Sequence, residues 1–218
     1  MREHFNKEMD ELNQEILKMG TLVQESLRKA IEALEDKDSA SAKKIIADDE
    51  RINVLQQEIE DRCAALIARE QPVASDLRRI ITVLKIVSNL ERIGDHSVHM
   101  AKTTIRIANQ NSLDPIIHML PSMAEIGISM VGDALTALLN SDTEKAREIS
   151  KRDDQIDDFR NRLFHEVIVY MKNNPDIIPQ ATDLLFIIRF LERLGDHVTN
   201  ICEWIVFSNT GKHEELNR

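Results

Sequence analysis

The sequence predicts an all-α fold, six long helices forming two tandem, pseudo-symmetric three-helix bundles. Apolar residues recur at steps of three and four along nearly all of the 218 residues, the period of helices with one buried face. Six glycines and five prolines leave too few turns for a sheet-rich chain. The string Leu90-Glu91-Arg92-Ile93-Gly94-Asp95-His96 returns as Leu191-Glu192-Arg193-Leu194-Gly195-Asp196-His197, the sign of an internal duplication.

The first helix starts near Phe5 and places Met9, Leu12, Ile16, Met19, Val23, Leu27, Ala30 and Leu34 on one face, a run of about eight turns. Asp36-Lys37-Asp38-Ser39 supplies short polar side chains that turn the chain and cap the next helix. The second helix is predicted over 40–69. Pro72 and a Ser75-Asp76 cap separate it from the third, over 77–109, which carries Ile80, Leu84, Val87, Leu90, Val98 and Ile105. After Leu113-Asp114-Pro115 the plan restarts, with helices over 116–139, 143–172 and 181–208.

Residue matches accompany the repeated plan. Ala30-Ile31-x-x-Leu34 recurs as Ala134-Leu135-x-x-Leu138, Asp38-Ser39 as Asp142-Thr143, and Asp49-x-x-Ile52-Asn53 as Asp153-x-x-Ile156-Asp157, each 104 residues on. The Leu-Glu-Arg strings lie 101 apart. Heptad self-similarity explains the apolar matches but not the shared Glu, Gly and Asp. The halves are residues 1–112 and 113–218, each a three-helix bundle.

Composition narrows the function. A formal charge of -10 argues against nucleic acid as the main partner, because phosphate-backbone affinity comes from clustered Lys and Arg. The start, MREHFNKEMDELNQ, lacks the apolar core of a secretory signal, and no segment is read as the roughly 20 apolar residues that cross a bilayer. A cytoplasmic protein is expected. Cys63 and Cys202 form no CxxC or Cys/His spacing and read as reduced core thiols.

At about 100° per residue, Glu91 shares the apolar face of the third helix with Ile80, Leu84, Val87 and Val98, and Asp95 lies beside it. Glu192 repeats this beside Leu185 and Ile188, with Asp196 next to it and Glu203 three turns on. The second and fifth helices add Asp49 and Asn53, then Asp153 and Asp157, at the edge of their apolar faces. Carboxylates one turn apart repel, and apolar surroundings add a desolvation cost. A positive counterpart is expected. Iron, manganese, magnesium or calcium fits oxygen-rich clusters; a basic partner helix, or Arg92, Arg189 and Arg193 at a half-exposed groove, fits as well.

Gly94 and Gly195 sit inside helices at a cost of roughly 1 kcal/mol each relative to alanine. Either a neighbouring helix or a ligand needs the space. His96 and His197 project about 100° from the preceding Asp, which leaves capping, a supporting contact or ligation open.

The strings LERIGDH and LERLGDHVTNICE, with Asp49-Glu50-x-Ile52-Asn53, Gln71-Pro72 before Ser75-Asp76-Leu77-Arg78, and Asp183-Leu184-Leu185-Phe186, resemble the PhoU family over nearly the whole chain. The resemblance implies two three-helix bundles whose acidic motifs bind multinuclear clusters, commonly iron or zinc. By motif position the first cluster draws on Asp49, Asn53, Glu91 and Asp95. The second draws on Asp153, Asp157, Glu192, Asp196, Asn200 and Glu203. His99 and Lys102 depart from the pattern, standing at the equivalents of Asn200 and Glu203. The resemblance further implies a homodimer that restrains phosphate uptake and phosphate-starvation genes through the ATPase subunit of a phosphate ABC transporter and a sensor histidine kinase, meeting the membrane only through those partners.

An enzymatic role is not expected. Carboxylate-bridged di-metal enzymes in helical bundles use Glu-x-x-His on two helices, whereas here the histidine follows the glutamate by five. No nucleophile, base and orienting group can be named. A helical adaptor that binds no metal stays as the alternative.

Overall fold

The computed structural model describes residues 2–108 and 114–217, so the half boundary expected at 112/113 and the end of the third helix at 109 lie outside the described residues. Helices α1 (Arg2–Glu35), α2 (Ser39–Asp48), α3 (Glu50–Glu70) and α4 (Ser75–Ile107) build the first half. Helices α5 (Asp114–Ile117), α6 (Leu120–Asn140), α7 (Thr143–Ser150), α8 (Asp153–Asn173) and α9 (Ile178–Thr210) build the second, with a 3-10 turn at Pro175–Ile177. There is no β-strand among the described residues. The short helices run on from one another, so the elements form the six expected rods.

Each apolar position predicted for α1 from Phe5 to Leu34 is buried. Full burial of such a side chain is worth roughly 1.5–3 kcal/mol, so the long apolar face, more than local propensity, holds α1 helical. Its end is a left-handed residue followed by a capping aspartate. Lys37 has φ 53°, and Asp38 accepts from the Ala40 and Ser41 amides at 2.8 and 3.1 Å. The second half repeats the device: Ser141 has φ 52°, and Asp142 accepts from the Lys145 amide at 2.9 Å.

Three local expectations are corrected. The second and fifth rods are not continuous: each breaks after two to three turns, at Asp49 and at 151–152. Tighter three-residue bonds replace the helical ladder there, Ile52 N–H to Asp49 O at 2.9 Å and Gln155 N–H to Arg152 O at 3.0 Å, and an apolar period alone does not register such a step. The fourth rod also breaks, at 118–119. No Ser75 or Asp76 side chain caps α4, which starts from Ala74 at φ 48°. Finally, Asp114–Asn140 is long and apolar enough to cross a membrane by composition, contrary to expectation, but half of its most apolar window is buried within the protein.

Packing brings the halves together. Helices α1, α4, α6 and α9 form a central layer in which α4 lies against α9 and α1 against α6. The broken rods flank it, α2 and α3 on α4, and α7 and α8 on α9. The apolar core runs through both halves without interruption. At the α4/α9 contact His96 is buried, stacked on Phe190 at 5.4 Å and tilted toward His197 at 5.5 Å. His197 Nδ1 meets Asn89 Oδ1 at 3.0 Å. Both histidines therefore belong to the joint between halves, and neither caps a helix.

Candidate functional site

The rods break where they cross α4 and α9, and the breaks carry Asp49 and Asp153 onto two glycines. A Cβ added to Gly94 would lie 3.2 Å from Ile52 Cδ1 and 3.8 Å from Asp49 Oδ1. At Gly195 it would collide with Asp153 Oδ1. Close approach of the neighbouring rod thus accounts for both glycines, through Ile52 at Gly94 and through the Asp153 carboxylate at Gly195.

Partial burial and mutual repulsion mark two groups of acids, though in the second only Asp153 is buried and Asp157 and Asp196 are exposed. Burial pushes the Asp49 carboxyl above its ordinary range, the Asn53 amide opposes this, and Asp95 adds to it. Glu91 is raised by burial and then by Asp95, with Arg92 opposing. In the second cluster Asp153 is pushed up to about 6, first by burial, against an opposing hydrogen bond from Asn217, with Asp196 and Asp157 adding their charge. Asp157, though exposed, is raised by the desolvation of its inner side and then by Asp196. Glu192 is raised by burial, which Arg189 opposes and Asp196 reinforces. Asp49, Glu91 and Asp95 thus share one field, and Asp153, Asp157, Glu192 and Asp196 another.

Other expected residues take different places. Asn53 Nδ2 donates to Asp49 Oδ2 at 3.2 Å and so joins the first cluster. Asn200 is exposed one turn beyond Asp196. Glu203 accepts the Leu216 amide at 3.0 Å. Lys102 opposes the rise at Asp49, which gives the first cluster a weak counter-charge from α4, the helix that also carries Glu91 and Asp95.

Arginines hold the rims. Arg92 lies 3.5 Å from Glu91 and 3.7 Å from Asp95, and Arg189 pairs with Glu192. Arg92 and Arg189 are half exposed or more, so each pair contributes on the order of 0–1 kcal/mol. That is too little to offset burial of several carboxylates.

Carboxylate oxygens are hard-cation donors, but the most buried of them, Asp153 Oδ1, lies against Gly195. Asp153 is 5% exposed, and its Oδ1 is buried without a hydrogen-bond partner. Among the described residues no three His, Cys, Asp or Glu side chains stand in a ligating group as they lie. As they lie, Arg189 sits on Glu192 and Asn217 on Asp153. The contribution of Asn217, whose Nδ2 donates to Asp153 Oδ2 at 3.0 Å, was not foreseen: it lies beyond the last periodic helix, where no sequence pattern marks it.

The family model described as PhoU domain matches twice, over residues 16–104 and 120–205. The chain belongs to the PhoU family. Each matched span contains one acidic cluster. The phosphate-specific transport system accessory protein PhoU homolog of Clostridium acetobutylicum is 39% identical over 217 residues, covering 99% of each chain. The protein of the same description from Streptococcus pneumoniae is 41% identical over 217 residues, covering 100% of each. The crystal structure of the phosphate transport system regulatory protein PhoU from Streptococcus pneumoniae matches with a TM-score of 0.89 at 39% identity, over 97% of this chain and 100% of that one. The PhoU fold is thus shared along almost the entire chain.

Proposed function

We propose that this protein is a cytoplasmic negative regulator of phosphate uptake and of phosphate-starvation genes. It acts through contacts with the ATPase subunit of a phosphate ABC transporter and with a sensor histidine kinase, works as a homodimer, and is not an enzyme. The observation that carries the reading is identity of 41% across the full length of a phosphate-specific transport accessory protein. Long rods with charged outer faces offer docking area, and the acidic clusters lack a paired nucleophile and base. Deletion of the gene tests it: phosphate-starvation genes should stay on in high phosphate, and normal repression there rejects the role.

Within that reading the two clusters hold divalent metal, iron or zinc, through Asp49, Asn53, Glu91 and Asp95 in the first half. Asp153, Asp157, Glu192, Asp196, Asn200 and Glu203 serve in the second. The metal would neutralise carboxylates whose burial already raises their pKa values. A metal-free adaptor is the second reading, favoured by the pairing of Arg92 and Arg189 with these same acids. Metal analysis of untagged protein against a variant with Glu192→Ala and Asp196→Ala separates the two. Equal, negligible metal in both selects the adaptor.

A further inference from the structure

Where α1, α4, α6 and α9 meet at one end of the central layer, a cleft of about 470 Å³ opens between the halves. The start of α4 supplies Arg78 and Arg79 to its wall, α1 supplies Asp10 and Asn13, and the last turns of α6 and α9 close the far side. Arg78 is half-buried. Its Nε is buried without a hydrogen-bond partner, and its guanidinium packs on Gly211, the left-handed residue that ends α9: a Cβ added there would lie 3.3 Å from Arg78 Cζ. Among the described residues this guanidinium donates no hydrogen bond and joins no ion pair, although Asp10 and Asp76 line the same cleft.

We propose that this cleft binds inorganic hydrogen phosphate, held by the terminal NH2 groups of Arg78 with Arg79 as a second positive charge. The choice of phosphate rests on the regulatory reading above and names its effector, whereas the site itself rests on the cleft. A guanidinium offers paired N–H donors in a planar fork that matches the oxygens of a tetrahedral anion. Leaving the donors of a charged group unpaired is costly, so Arg78 calls for an acceptor that the chain does not supply. Contact with Gly211 closes off Nε and holds the fork in place before any ligand arrives, which lowers the cost of ordering it on binding. Arg79 is fixed as well, its Nη1 donating to Asn6 Oδ1 at 3.2 Å. At roughly 30 Å³ per water, the cleft has room for the ion and several waters beside it.

The two aspartates select among oxyanions. An ionised carboxylate accepts hydrogen bonds and cannot donate, so Asp10 and Asp76 repel an anion stripped of protons and accept from one that keeps an O–H. At about pH 7.5 inorganic phosphate keeps that O–H, while sulfate has none and a phosphate monoester, with its last pKa near 6, has mostly lost it. Ser208 of α9 also lines the cleft, so an ion seated there ties the start of α4 to the second half.

Calorimetric titration of the full chain with inorganic phosphate, sulfate and glycerol 3-phosphate, each alone, tests this. Phosphate should bind about ten-fold or more tighter than the other two, the scale of one hydrogen bond to a charged group, and should raise the thermal unfolding midpoint. Arg78→Gln should weaken phosphate binding about ten- to a hundred-fold. Asp10→Asn combined with Asp76→Asn, which leaves both arginines in place, should narrow the preference over sulfate. No phosphate binding up to about 10 mM, equal binding of sulfate, tighter binding of the ester, wild-type affinity in Arg78→Gln or an unchanged preference in the aspartate variant overturns the proposal. So does an Arg78→Gln midpoint lowered equally with and without phosphate, which would assign Arg78 to the negative end of α9 alone. Loss of the site leaves the gene-deletion test of the regulator standing, and normal repression in the deletion strain alongside phosphate binding rejects the regulator and keeps the site.

Discussion

Asn217 donates its side-chain amide to Asp153 Oδ2 at 3.0 Å, and Asn53 does the same for Asp49 Oδ2 at 3.2 Å. The duplicated aspartates thus receive the same hydrogen bond from unrelated parts of the chain. At the position equivalent to Asn53 the second half has Asp157, a residue that, when ionised, accepts and cannot donate. The exchange adds a negative charge beside Asp153 and moves the amide to residue 217.

The pH dependence of Asp153 follows from its burial. Its carboxyl is held at about 6 against an ordinary 3.8, so between these values the folded chain binds a proton that the unfolded chain has lost. Stability from this group therefore falls as pH rises from about 4 to 6, and the loss, on the order of 3 kcal/mol, is complete above that window. In metal-free protein the stability of Asp153→Asn relative to wild type should rise by about that amount between pH 4 and pH 7. Urea unfolding at the two pH values, with chelator present, measures it.

His96 works in the opposite direction. Burial first, then the neighbouring His197, His99, Arg193 and Arg92, push its pKa down to about 3. Below its ordinary 6.5 the unfolded chain gains a proton that the folded chain refuses, so stability present above pH 6.5 drains away as pH falls toward 3. His96→Phe keeps an aromatic ring against Phe190 and should gain about 2–3 kcal/mol over wild type by pH 4.5. Thermal or urea unfolding at pH 7 and 4.5 reads the difference.

The two helical glycines are predicted to respond differently to alanine. At Gly94 the new methyl meets the far end of Ile52, a flexible side chain, and the strain is offset by roughly 1 kcal/mol of helix propensity. Gly94→Ala should lie within about 0.5 kcal/mol of wild type. Gly195→Ala drives a methyl into Asp153 Oδ1 and should lose about 1–3 kcal/mol. Equal midpoints for the two variants would contradict the packing described.

The thiols should be inert in the native state. Burial pushes both Cys63 and Cys202 up to about 12, which removes the reactive thiolate at neutral pH. An aromatic disulfide reagent should label neither thiol in the folded protein and both after denaturation. Rapid native labelling of either would count against the burial seen here.

Much of the fold was legible because it follows from periodicity. The face from Phe5 to Leu34, the Asp38 and Asp142 caps and the two copies of Leu-Glu-Arg-x-Gly-Asp-His each state a local geometry that the neighbouring residues impose. The same spacing puts Glu91 and Asp95 of α4 within the field of Asp49, and Asp196 of α9 within that of Asp153 and Asp157, although Asp157 and Asp196 themselves are exposed. Asn200 and Glu203 share the face of Asp196 in sequence, yet one turn per 3.6 residues carries them beyond the crossing point.

The chain alone determined the helical duplication and the placing of Glu91, Glu192, Asp49 and Asp153 at the border of their apolar faces, because both depend on angles between residues a few positions apart. The tertiary structure decided how far each acid is buried, that the rods break at Asp49 and at 151–152, that His96 and His197 join the halves, and that Asn217 reaches Asp153. Those depend on the distance between helices and on the path of a segment without period, and only packing sets either of them.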